Sequence, residues 1–82
     1  MAKTFHLTIA KIGENLFDGG VLAASLPGAD GVFEVLVGHE AFVSELVAGV
    51  VRVRLPDNEV RNFPVPQGGI AEVSNNQTTV LL

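Results

Sequence analysis

Turn-forming residues cut this chain so often that no long regular element fits between them. Asp18-Gly19-Gly20, Pro27-Gly28-Ala29-Asp30-Gly31, Gly38-His39, Pro56-Asp57-Asn58-Glu59, Gln67-Gly68-Gly69 and Asn75-Asn76 follow one another along 82 residues. Proline presets φ near a turn value and glycine accepts positive φ, so each cluster reads as a place where the chain turns. The pieces between them are short, apolar and β-branched. That is the pattern of an all-β fold, a flattened sandwich or barrel of short antiparallel strands.

The alternation within the pieces supports this. From Thr4 to Ile9, Phe5, Leu7 and Ile9 point one way while Thr4, His6 and Thr8 point the other. Val21 to Leu26 is a second apolar run, and Val32 to Val37 a third. Val50 to Leu55 places Val51, Val53 and Leu55 on one face and Arg52 and Arg54 on the other. The return piece, Val60 to Val65, holds Pro64 and is followed by Pro66; proline cannot donate to a ladder, so this strand belongs at an edge or carries a bulge. Ile70 to Val73 and Thr78 to Leu82 flank the Asn75-Asn76 turn. One stretch stays open. His39 to Ala48 spaces Phe42, Val43, Leu46 and Val47 as a helix would, with Gly49 at the C-cap position, so periodicity admits both helix and strand.

With 82 residues the expectation is one domain, residues 1–82, and with no cysteine it has neither disulfides nor thiolate metal ligands to support a small core. Hydrophobic residues make up 48% of the chain and charged residues 17%. That ratio leaves too few polar side chains to cover a small globule, so part of the apolar surface is expected to lie against a partner. Five basic residues against nine acidic ones, dispersed along the chain, cannot form a phosphate-tracking groove, which argues against nucleic acid. The opening residues lack the apolar segment of a signal peptide, and the longest apolar stretch, Ala41 to Leu55, is broken by Ser44, Glu45, Gly49, Arg52 and Arg54. A soluble protein is expected.

Reactive constellations are missing. His6 falls on the polar face of the first strand, the ordinary place for a solvated histidine. His39-Glu40 begins like the zinc-binding H-E-x-x-H, but residue 43 is valine and the second ligand is absent. None of Ser25, Ser44 and Ser74 sits in a G-x-S-x-G turn, and no G-x-x-x-x-G-K-[ST] phosphate loop exists. The residues therefore point to no enzyme, no cofactor and no metal. From the residues alone, a β-sandwich interaction module with an unrelated partner stays open.

The ordered set of segments resembles the N-terminal β-sandwich domain of the epsilon subunit of F-type ATP synthases, called delta in mitochondria. Thr4-Phe5-His6-Leu7 is similar to that family's first strand, and Leu16-Phe17-Asp18-Gly19 to its Phe-x-Gly turn. Gly38-His39, Ser44 and Gly49-Val50-Val51-Arg52-Val53 fall in register with its most specific stretch. Gly68-Gly69-Ile70-Ala71-Glu72-Val73 resembles its Gly-Gly-Ile-x-Glu-Val. The chain departs from the family at Glu34, where glycine is usual, and at Val37, Ala41 and Ala48, where proline is usual. It also ends at Leu82, where family members commonly continue into a helical hairpin.

The resemblance implies a non-catalytic central-stalk subunit that docks on the gamma subunit and on the c-ring, coupling ion-driven rotation to ATP synthesis. It implies a peripheral place on the cytoplasmic face of the bacterial plasma membrane, reached through the complex. By position it assigns Asp30, Gly31, Val32, Gly38 and His39 to the c-ring side, with Val32 standing where an acidic residue is common, and Phe42 and Ser44 to gamma. Inhibition of hydrolysis and nucleotide sensing belong to the hairpin in that family, so neither is expected of these residues.

Overall fold

The computed structural model describes residues 3–82 and shows nine strands and no helix. They are β1 (Phe5–Lys11), β2 (Glu14–Val21), β3 (Ala23–Gly28), β4 (Gly31–Leu36), β5 (Phe42–Glu45), β6 (Gly49–Arg54), β7 (Val60–Val65), β8 (Ile70–Ser74) and β9 (Gln77–Leu81). Two sheets result, one of five strands in the order β2-β1-β9-β8-β5 and one of four in the order β4-β3-β6-β7. Neighbouring strands are antiparallel except β1 and β9, which run parallel with Leu7 beside Thr78 and Ile9 beside Val80.

Alternation decides what is buried. Phe5, Leu7 and Ile9 of β1 face inward with Ala71, Val73 and Val80, and meet Ala24, Leu26, Val35, Val51 and Val53 from the other sheet. Burying such aliphatic side chains contributes about 1.5–3 kcal/mol each, the main favourable term in a chain this small. Both sandwich edges are closed by an aromatic pair. Phe17 of β2 meets Phe63 of β7 edge-on at 5.7 Å, and Phe33 of β4 meets Phe42 of β5 at 5.2 Å. As its prolines require, β7 is an edge strand.

Two expectations are corrected. Asp18-Gly19-Gly20 is no turn: these residues lie inside β2, where Gly19 pairs with Leu7 and Gly20 with His6. A Cβ at Gly20 would come within 3.3 Å of the Thr4 hydroxyl, a tight contact that a small shift of that side chain relieves. The actual reversal is Ile12-Gly13, with Gly13 at φ 78°. The run from Val21 to Leu26 is likewise not one strand, because the chain bends at Leu22 and passes from the first sheet to the second. The open stretch between His39 and Ala48 resolves as strand. β5 pairs with β8 from Phe42–Val73 to Glu45–Ile70, and only Leu46 of the helically spaced set is buried. A ladder along β8 satisfies backbone groups that an isolated ten-residue helix would leave to water.

Inside the core stands one polar side chain. Thr78, fully buried between Leu7 and Val73, has a hydroxyl with no hydrogen-bond partner. An unpaired buried hydroxyl is destabilising, and valine has nearly the same shape. Thr78→Val is expected to raise unfolding stability by about 1 kcal/mol, read as a higher urea midpoint at unchanged slope; a fall in stability would mean that the hydroxyl has a partner in solution.

Candidate functional site

Strand direction sorts the turns into two groups at opposite ends of a body about 36 Å long. The Ile12-Gly13 tip, the Ala29-Asp30 tip and the turn at residues 67–69 share one end; the link at 37–41 and the turns at 56–59 and Asn75-Asn76 share the other. The residues expected at the c-ring are thereby divided. Asp30, Gly31 and Val32 lie at the first end and Gly38 and His39 at the second, separated by the length of β4, roughly 20 Å for six strand residues.

At the first end, β3 and β4 form a hairpin whose register runs from Ala23–Leu36 to Gly28–Gly31. Gly31 takes φ 126°, open to glycine but costly for other residues, so its presence has a conformational reason. The hairpin tip is tied to the opposite sheet, as the Ala29 amide donates to the Glu45 carbonyl (2.9 Å) and the Val47 amide to the Pro27 carbonyl (2.9 Å). Asp30 is exposed there and Val32 is 75% exposed. Ile12 shares this end and is completely exposed, an apolar tip flanked by the Lys11–Glu14 ion pair (3.4 Å). Its position gave no signal of function in the sequence, because the turn was expected six residues later.

At the second end, Gly38 takes φ 82° and its amide donates to the Asn76 side-chain oxygen (2.9 Å). Asn75 and Asn76 form a two-residue hairpin with φ 50° and 57°, a conformation asparagine tolerates better than most residues. His39 is half-buried, its Nδ1 lies 2.7 Å from the Glu40 carbonyl, and its ring stands 6.2 Å from that of Phe42. Phe42 is half-exposed while closing the edge against Phe33. Ser44 pairs with buried Ala71 and is itself half-buried, its hydroxyl donating to the Glu45 carbonyl (2.9 Å). The outward side of β5 is presented by Val43, which lies beside Glu72, while Ile70 and its register partner Leu81 are exposed on the same sheet at the first end, next to Glu45. These three were missed in the sequence; the signal was there in Ile70-Ala71-Glu72-Val73, whose outward face joins the apolar Ile70 to the charged Glu72.

No reactive group is assembled. His6 pairs with Asp18 across β1 and β2 on an exposed face. Among the described residues no cluster of three or more His, Cys, Asp or Glu is placed to hold a metal ion.

The Gly38–Asn76 hydrogen bond makes a separable test. Asn76→Gly keeps the turn conformation and removes the side-chain acceptor. Exchange of the Gly38 amide should then accelerate roughly fivefold, the equivalent of about 1 kcal/mol, while the global urea midpoint stays nearly constant. An unchanged exchange rate would show that the turn does not rely on Asn76.

Residues 4–82 match the family described as ATP synthase, Delta/Epsilon chain, beta-sandwich domain. An ATP synthase epsilon chain from Chlorobium limicola is 35% identical over 79 residues, covering 96% of this chain and 89% of the relative. The epsilon chain of Hyphomonas neptunium is 38% identical over 81 residues, but there the match spans 59% of the relative's length. Among solved structures, a chain of the Euglena gracilis mitochondrial ATP synthase, in a structure that includes the c-ring, superposes with a TM-score of 0.86 at 25% identity over 95% of this chain and 49% of that one. A chain from the central stalk and c-ring of the Tetrahymena thermophila enzyme shares the fold, with a TM-score of 0.77 at 16% identity over 96% of this chain and 63% of that one. The protein belongs to the family of ATP synthase delta/epsilon-chain β-sandwich domains.

Proposed function

We propose that this chain is a non-catalytic rotor subunit of an F-type ATP synthase, a stiff spacer that touches the gamma subunit and the c-ring together and carries ring rotation to the catalytic head. The observation that carries the reading is the division of exposed apolar and turn residues between two separated regions of one rigid sandwich. A single flat partner cannot reach both. In this reading Asp30, Gly31 and Val32, joined by Ile12, meet the ring, whose polar loops suit Asp30. His39, Phe42 and Val43 meet gamma, and Gly38 sets the turn that presents His39. Ser44 acts by holding β5 in place rather than by contact. No helix of the described residues is long and apolar enough to cross a membrane, and the chain is held at the membrane's cytoplasmic face through its partners.

The role is mechanical. Contacts at the two regions transmit force, and no bond is made or broken on this chain. Size-exclusion chromatography with light scattering, on the chain mixed with separately purified gamma subunit, tests the reading. A stoichiometric complex is expected, and Val43→Asp should weaken it roughly tenfold or more, since a charge would be buried in an apolar contact. Val32→Asp, at the other end, should leave gamma binding unchanged. Absence of any complex at tens of micromolar (an order-of-magnitude bound for a specific interface), with both proteins folded, would remove gamma as the partner.

A further inference from the structure

The outer face of the four-stranded sheet carries charges that neither region above uses. Strand register sets its side chains in rows. Glu34, Ser25, Arg52 and Asn62 lie side by side on β4, β3, β6 and β7. In the next row stand Leu36, Ala23, Arg54 and Val60. The small residues Ser25 and Ala23 make a low floor between taller neighbours, leaving an open hollow of about 580 Å³. Leu36 and Val60 rise on its two sides, 51% and 41% exposed.

Arg52 and Arg54 are two of only five basic residues in a chain of net charge −4. Both are exposed, and among the described residues neither forms an ion pair or a side-chain hydrogen bond. The outer face of the five-stranded sheet carries no basic pair of this kind, and several of its polar groups pair among themselves. There His6 pairs with Asp18, and the Gln77 amide reaches the hydroxyls of Thr8 (3.4 Å) and Thr79 (3.5 Å). Two adjacent unpaired guanidiniums on an otherwise acidic protein are complementary to a partner with two carboxylates.

We infer that this face is a further docking surface, and that its occupant is an acidic amphipathic helix of a partner protein. Residues two apart on a strand stand roughly 7 Å from each other on one face, close to the roughly 5–6 Å between side chains one turn apart on a helix. Carboxylates at that spacing reach Arg52 and Arg54 together, and apolar side chains beside them cover Leu36 and Val60. Laying a helix on a sheet face is also an ordinary way to cover apolar surface. Glu34, at the far side of the hollow, repels such a helix and limits its affinity.

The test uses the full chain, isotope-labelled for amide NMR, and a 14-residue Leu/Ala helical peptide with two glutamates four positions apart. A twin peptide with glutamine at both positions is the control. Shifts are expected at Ser25, Glu34, Arg52, Arg54 and Val60, with roughly tenfold weaker binding of the twin and a fall in affinity as salt rises. The double variant Arg52→Gln, Arg54→Gln should lose the same roughly tenfold while keeping its urea midpoint, both side chains being exposed. Glu34→Gln should tighten binding about twofold by removing the repelling charge. Equal affinity for the two peptides, shifts on another face, or no shifts at millimolar peptide would overturn the inference. So would inorganic pyrophosphate binding there as well as the peptide, which would mark a free oxyanion site, or dimerisation of the chain through this face.

Discussion

The parallel ladder between β1 and β9 is the constraint on which the rest of the sandwich depends. It brings residues near the start of the chain beside residues near its end, His6 to Gln77 through Ala10 to Leu81. Without it the five-stranded sheet falls into two parts, β2-β1 and β9-β8-β5, each with an unpaired edge and half a core. Leu7, Ile9, Thr78 and Val80 are buried at this seam, where the inward sides of both parts meet the second sheet. Closing a loop of some seventy residues is entropically costly, though only logarithmically so in its length. The cost falls mainly on folding rate, since such a pairing must wait for the segments between to be placed. The unpartnered Thr78 hydroxyl sits in this ladder, so the position most central to the fold is not its best optimised one.

The legible parts of the fold were those set by local chemistry. The alternation in β1 and β6 reported which side chains are buried, because on a half-buried strand period two maps directly onto inside and outside. Asn75-Asn76 announced its hairpin, and Pro64 announced an edge, since each imposes a backbone conformation or removes a donor whatever surrounds it. Gly19-Gly20 misled for the opposite reason. Glycine marks either a turn or a close approach, and which one applies depends on Thr4 and Phe17, whose nearness is a tertiary fact. The stretch around β5 was ambiguous because four apolar residues at mixed spacing satisfy both periods, and the edge of β8 decided between them.

The candidate surfaces were less legible than the fold. Gly38-His39 and Asp30-Gly31 are close in sequence and are put on one side by the family resemblance, yet β4 runs between them and carries them to opposite ends. A short strand converts a small sequence separation into roughly 20 Å. Conversely, Ile70 and Leu81 are distant in sequence but stand side by side on one face because β8 and β9 pair. Surfaces are made by register, and register between non-adjacent strands is what a single sequence states least clearly.

The excess of apolar residues noted in the composition now has a location. Inside, the two sheets meet through mostly valine, alanine and leucine with Phe5, while the other four phenylalanines stand at the edges as Phe17–Phe63 and Phe33–Phe42. Edge-to-face aromatic pairs contribute about 0.5–1.5 kcal/mol beyond their burial, and at the edges they resist the sheets sliding or opening like a book. A thin core closed on both sides is stiff for its size, because close-packed interiors are only slightly compressible. Other apolar side chains, left outside at Ile12, Val32, Val43, Ile70 and Leu81, cannot add to that core without a third layer. Stiffness within and apolar surface without thus follow from the same two-layer arrangement.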